Sequence, residues 1–141
     1  MTDRVFFDTN ILVYAFASND DPRCRVASGL IEAHDSVVVS VQVLNEFYAV
    51  MTGKQKIPHR DVARYVQSLI DNFSVVSLRA ETVKLALKLK PACAFSWWDS
   101  LILASALESG ASFLFTEDMQ NGQWIENRLH IVNPFSLVSD S

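Results

Sequence analysis

The chain is poor in the residues that cross-link or punctuate a fold: two cysteines, four glycines and four prolines in 141 residues. Cys24 and Cys93 stand far apart, with no CxxC pair and no paired histidines, which argues against a disulfide framework and a thiolate metal site. Both are read as reduced thiols, one or both of them buried. There is no low-complexity stretch and no internal repeat, so residues 1–141 are expected to form a single domain without an internal linker. No apolar run approaches the roughly 18 residues of a membrane span. The opening Met1-Thr2-Asp3-Arg4 lacks the charged lead and apolar stretch of a signal peptide. The expectation is a cytoplasmic protein with no membrane partner.

Basic charge is also in short supply. Lys and Arg number 12 against 16 Asp and Glu, for a net charge of -4 and a pI near 5.2. That excludes a surface that attracts phosphate everywhere, but not a local basic patch. What the chain has in quantity is apolar side chains, 50% of the total against 20% charged, enough for a packed core.

Short apolar runs alternate with longer helical patterns. Val5-Phe6-Phe7, Val37-Val38-Val39, Val75-Val76, Phe113-Leu114-Phe115 and Ile131-Val132 read as strands. They are continuously apolar, as parallel strands covered on both faces are. Helical segments are expected at 10–17, 22–33, 41–52, 59–71, 79–90 and 96–108. Strand followed by helix, repeated, predicts an α/β sandwich with a mostly parallel sheet. Ser40 is placed to cap one helix, Pro58 to open another, and Gly110 to follow the end of a third. Ser96-Trp97-Trp98-Asp99 has capping-box spacing.

In such folds ligands sit outside the carboxyl ends of the strands, and several acids fall there. Asp8 directly follows the first strand; it either points into the crevice or caps the next helix, with Thr9 and Asn10 as further capping candidates. Glu46 lies one to two turns into the third helix, where a solvated face shared with Gln42, Asn45, Ala49 and Thr52 also explains it. Asp99 opens an otherwise apolar helix, which suits a capping box as well as a ligand. Glu117 and Asp118 follow the fourth strand, in what could be an ordinary polar turn. Clustered carboxylates repel and raise one another's pKa unless a cation neutralises them. An all-oxygen set suits Mg²⁺ or Mn²⁺ rather than zinc. Such an ion activates water and clamps a phosphodiester, so the chemistry inferred is metal-dependent phosphodiester hydrolysis.

Four segments carry a family resemblance: Asp8-Thr9-Asn10-Ile11-Leu12-Val13-Tyr14-Ala15, Asn45-Glu46-Phe47, Trp98 through Ala106, and Leu114 through Gly122. In this order and at this length they resemble the PIN-domain nucleases, in particular the VapC-type toxins of bacterial toxin–antitoxin pairs. The resemblance implies a three-layer α/β/α sandwich around a central mostly parallel sheet, a Mg²⁺- or Mn²⁺-dependent endoribonuclease, a cognate antitoxin and a homodimer. It maps the catalytic, metal-binding acids onto Asp8, Glu46, Asp99 and Asp118, with Glu117 as the alternative to Asp118. Thr9, Asn10 and Thr116 match polar positions that orient the carboxylates or a metal-bound water. RNA-processing by a PIN nuclease that is not a toxin, an aspartate-nucleophile phosphatase and a catalytically silent binding module are the alternatives. Asn10, standing where a phosphatase would want a second aspartate, tells against the phosphatase.

A nuclease must hold a polyanion. Lys54, Lys56, His59, Arg60 and Arg64 are candidates for a basic RNA rim, whereas Lys84, Lys88 and Lys90 read as a solvated helix face. Of Trp97, Trp98 and Trp124, the first two read as core beside a helix start, leaving Trp124 as the candidate for stacking on bases. Phe16, Tyr65 and Leu69 look like an exposed apolar surface on which an antitoxin could dock.

Overall fold

A computed structural model describes residues 3–17, 19–93 and 95–138; the side chain of Cys93, and with it part of the expectation about buried thiols, lies outside the described residues. Cys24 is a free, half-buried thiol.

The elements in chain order are β1 (Val5–Phe7), α1 (Thr9–Phe16), α2 (Pro22–Ala33), β2 (Val37–Ser40), α3 (Val41–Thr52), α4 (His59–Asn72), β3 (Ser74–Val76), α5 (Ala80–Cys93), α6 (Trp97–Glu108), β4 (Phe113–Phe115), β5 (Trp124–Ile125) and β6 (Leu129–Val132). The strands form one sheet in the order β3-β2-β1-β4-β6-β5. All neighbouring pairs are parallel except β5 with β6. Every residue of β1 and β2 is buried, so both faces of the sheet are covered. This is the layered α/β architecture the apolar runs predict.

The helices begin where the chain supplies a cap. Ser40 Oγ accepts from the Val43 amide at 3.2 Å, and Ser96 Oγ accepts from the Asp99 amide at 3.1 Å. Helix α1 starts one residue earlier than expected. Asp8, not Thr9 or Asn10, is its N-cap and takes the Thr9 amide at 2.7 Å. The hydroxyl of Thr9 and the carboxamide of Asn10 are thereby freed for other partners. Helix α6 is buried from Ser100 through Leu107. Apolar all round, it is a central rather than a surface helix. It packs with α5, whose start is tied to the end of α6 where Thr82 and Arg79 donate to the Glu108 carboxylate at 2.5 Å and 3.3 Å.

Further features differ from the sequence expectation, among them α5, which runs on to Cys93. The last strand begins two residues earlier, at Leu129, and pairs with the short antiparallel β5. Glu126 and Asn127, both at positive φ, make the turn between them, closed by the Arg128 amide on the Ile125 carbonyl at 3.1 Å. Leu69 is buried, and Phe16 and Tyr65 are half-buried against one another with ring centroids 5.0 Å apart. The Phe16–Tyr65 pair joins α1 to α4, because an aromatic pair gains more from that contact than from water.

Truncating Leu103→Ala in the fully buried helix α6 is expected to cost about 2–5 kcal/mol. Ser40→Ala, which removes a cap, is expected to cost about 1 kcal/mol. Urea denaturation of the two variants checks both values and their order.

Candidate active site at the carboxyl ends of the strands

The chain builds outward from β1 to β2 and β3, then crosses back to place β4 on the other side of β1. A crevice opens at such a reversal, at the carboxyl ends of the two strands. Register fills it. Phe7 pairs with Phe115, so the residues that follow, Asp8 and Thr116, come out side by side. The Asp8 amide continues the ladder by donating to the Phe115 carbonyl at 3.0 Å.

Asp8 is 6% exposed and its two oxygens have different donors. Oδ1 accepts from the Thr9 amide at 2.7 Å, and Oδ2 accepts from the Thr116 hydroxyl at 2.8 Å. Burial nevertheless dominates, and it raises the Asp8 pKa to about 7 against the lowering effect of these bonds. Asp118 and Glu46 push it further in the same direction.

The other acids stand around it. Glu46 projects from α3, where the Thr9 hydroxyl donates to its Oε1 at 3.1 Å. Its pKa is raised by partial burial, opposed by the Thr9 bond, and raised again by the charges of Asp99 and Asp118. Asp99, in the first turn of α6, is raised by burial and by Asp118, with the Ser96 side chain opposing. The start of α6 is held over α3 by Gln42, whose amide Nε2 donates to the Trp98 carbonyl at 3.3 Å. The structure thus brings Asp8, Glu46, Asp99 and Asp118 into one mutually repelling set.

Glu117 and Asp118 differ in what each touches. Asp118 Oδ2 accepts from Asn10 Nδ2 at 3.0 Å, and its amide donates to Thr116 Oγ1 at 3.2 Å. Glu117 accepts from the Tyr14 hydroxyl at 2.9 Å and lies 3.8 Å from Arg23. Burial and this carboxylate push the Tyr14 phenol up to about 12. The Glu117 amide donates to Asn10 Oδ1 at 3.3 Å, so Asn10 clamps the loop through backbone and side chain together.

Four carboxylate-bearing residues with no histidine or thiolate among them are a donor set for a hard divalent cation. Among the described residues no three acids are already drawn together at ligand spacing. Like charges in a partly wet crevice stand apart. The donor chemistry fits such an ion, and Asp8 is the group with most to gain from one, being both buried and faced by two other acids.

Of the predicted basic rim, Lys54 lines a crevice of about 300 Å³ with Asn10, Tyr14, Glu117 and Asp118. Lys56 and Arg60 are exposed nearby in sequence but line no part of that crevice. His59 bonds Tyr48 at 2.9 Å and Arg64 bonds Asp61 at 2.6 Å. Trp124 is stacked on His130, rings 4.3 Å apart and 3° from parallel, so one of its faces is already covered. Trp97 packs on the core as expected. Trp98 does not: it is 62% exposed and lines a groove with Val41, Gln42, Asn45, Glu46 and Leu78. Helical spacing carried the signal, since two adjacent residues at a helix start cannot both face the core.

The raised Asp8 pKa fixes the sign of a pH effect. Between about pH 4 and pH 7 the folded chain keeps a proton that the unfolded chain has released, so this group's contribution to stability falls as pH rises through that window. In chelator-treated protein, Asp8→Asn is expected to raise unfolding stability by about 2–4 kcal/mol at pH 8, and by much less near pH 4. Urea titrations at the two pH values test this; an equal effect at both would contradict it.

A profile of the PIN domain matches residues 5–120 of the chain. No curated protein sequence matches it. Among solved structures, a toxin–antitoxin complex from Klebsiella pneumoniae is similar at 22% identity and TM-score 0.69, covering 92% of this chain and 97% of that one. VapC20 of Mycobacterium tuberculosis, a toxin that cleaves the sarcin-ricin loop, is similar at 18% identity and TM-score 0.65, covering 78% and 86%. FitAcB of Neisseria gonorrhoeae aligns at 16% identity and TM-score 0.73, covering 94% and 99%. At these identities the structures speak for the fold, while the profile, spanning most of the chain and all four acids, speaks for descent: the chain belongs to the PIN-domain family.

Proposed function

We propose that the chain is a divalent-cation-dependent endoribonuclease, the toxin of a toxin–antitoxin pair, working in the cytoplasm as a homodimer. The observation that carries the reading is that Asp8, Glu46, Asp99 and Asp118 stand close enough to act on one another's charge, with the buried Asp8 influenced by both Asp118 and Glu46. The similar structures support the partner: they include a toxin–antitoxin complex, and VapBC2 of Rickettsia felis bound to DNA from its promoter. The RNA substrate is supported by the description of VapC20 as a toxin that cleaves the sarcin-ricin loop.

Asp8, Asp99, Asp118 and Glu46 are the residues that would hold Mg²⁺ or Mn²⁺. When bound, such an ion supplies an acidified water and neutralises charge at the phosphodiester. The remaining work falls to the chain's own side chains. Thr116 fixes one oxygen of Asp8, Thr9 turns Glu46 inward, and Asn10 aims Asp118. Each of these bonds leaves its carboxylate further lone pairs free for a cation. Lys54, beside Asp118, is placed to hold a flanking phosphate of the RNA.

The test is cleavage of RNA by purified protein with Mg²⁺ or Mn²⁺, against chelator. Asp8→Ala, Asp99→Ala and Asp118→Asn are each expected to lower the rate at least about 100-fold. Glu117→Gln, which faces Tyr14 and Arg23, is expected to stay within a few-fold of wild type. Activity that survives chelation, or an Asp118 variant as active as the Glu117 one, would refute the assignment. Mg²⁺ is also expected to raise the melting temperature of wild type and not of Asp8→Asn, because an ion that binds only the folded state stabilises it.

A further inference from the structure

We propose that Trp98 is a stacking platform for an unpaired RNA base next to the phosphodiester held at the carboxylates; the proposal rests on the nuclease reading above. Its side chain is 62% exposed, at a position where the preceding Trp97 already serves the core. An indole left in water beside an acidic crevice is apolar surface the fold has not used. The ring lines a groove of about 410 Å³ whose apolar walls are Val41 and Leu78.

The groove is continuous with the site. Glu46 belongs to both, lining the groove and meeting the field of Asp99 and Asp118. Asp99 is the next residue after Trp98, and the Gln42 amide on the Trp98 carbonyl holds the backbone between ring and carboxylate in place. Gln42 is buried, and its Oε1 has no hydrogen-bond partner. Asn45 spends its Nδ2 on the Val41 carbonyl. Gln42 Oε1 is enclosed, so the polar end of the groove presents the exposed Asn45, whose Oδ1 can accept from a base. The Lys54 crevice, lined by Asn10 and Asp118, is a separate recess that shares no lining residue with this groove. An RNA strand bound at the carboxylates would have a cation for its phosphate in one recess and a ring for its base in the other. That is how single strands are held where bases are splayed. Trp124 has one face covered by His130 and lines no part of either groove.

The probe is a mixed-sequence single-stranded RNA 12-mer. Cleavage with Mg²⁺ is compared for wild type, Trp98→Ala, Trp98→Phe and Trp124→Ala. Tryptophan emission on RNA binding is read in the Asp99→Asn background. Trp98→Ala is expected to raise KM roughly 5- to 100-fold with kcat changed little, and Trp98→Phe to restore KM to within about threefold. RNA is expected to quench emission with Trp98 present and not in Trp98→Phe, whereas Trp124→Ala keeps the quench. Wild-type cleavage with KM unchanged in Trp98→Ala would overturn the stacking role and leave the nuclease reading standing. Quenching through Trp98 without wild-type cleavage would uphold the platform and overturn the catalytic reading. Neither cleavage nor quenching would overturn both. If Trp98→Ala instead converts a dimer to monomers in sedimentation, with RNA affinity unchanged, the groove belongs to a second copy and the proposal is wrong.

Discussion

A carboxylate held out of water between two parallel strands is the constraint around which the rest is arranged. Burying an ionised aspartate is costly unless its oxygens are bonded and its charge is met. The fold supplies the bonds through register: because Phe7 pairs with Phe115, the next residues on the two strands are Asp8 and Thr116, and the hydroxyl reaches the carboxylate at 2.8 Å. It does not supply the charge. The nearest ionisable groups are acids, and they add to the upward pressure on the Asp8 pKa. A side chain so placed is unfavourable as a purely structural element and reasonable as part of a site that takes up a cation.

The polar residues around Asp8 follow from that arrangement. Because Asp8 caps α1 itself, Thr9 and Asn10 need not, and each reaches across to a different acid. Three consecutive residues thus address the end of β1, helix α3 and the loop after β4. A change at Thr9 or Asn10 would act on the site through the orientation of Glu46 or Asp118, while leaving the sheet intact.

Much of this is legible in the sequence, for physical reasons that differ by element. The buried strands show as unbroken apolar runs because both faces are covered, and Ser40 and Ser96 mark helix starts because a hydroxyl there satisfies an otherwise orphan amide. The hairpin before β6 was hidden because its turn uses Glu126 and Asn127 at positive φ in place of glycine. What each of two adjacent acids touches depends on loop geometry after β4, which the sequence does not display: Glu117 meets Tyr14 and Asp118 meets Asn10. Trp98 was misread for a related reason. A tryptophan pair at a helix start suggests core, but consecutive residues of a helix point about 100° apart, so burying Trp97 turns Trp98 outward.

The electrostatics also order the events at the site. On the nuclease reading, the cluster that gathers a cation is the same cluster that repels a phosphodiester, and the chain's net charge of -4 offers no general field to offset it. RNA approaching the bare carboxylates would be opposed at short range, with Lys54 as the basic residue lining the adjoining crevice. Binding of the cation removes that repulsion and adds an attraction, so cation and RNA affinities must rise together, by the same factor in each direction. Contacts that do not depend on charge, such as a base against the ring of Trp98, act independently of this coupling. They let the strand be held by its bases while the carboxylates and their cation address only the phosphate.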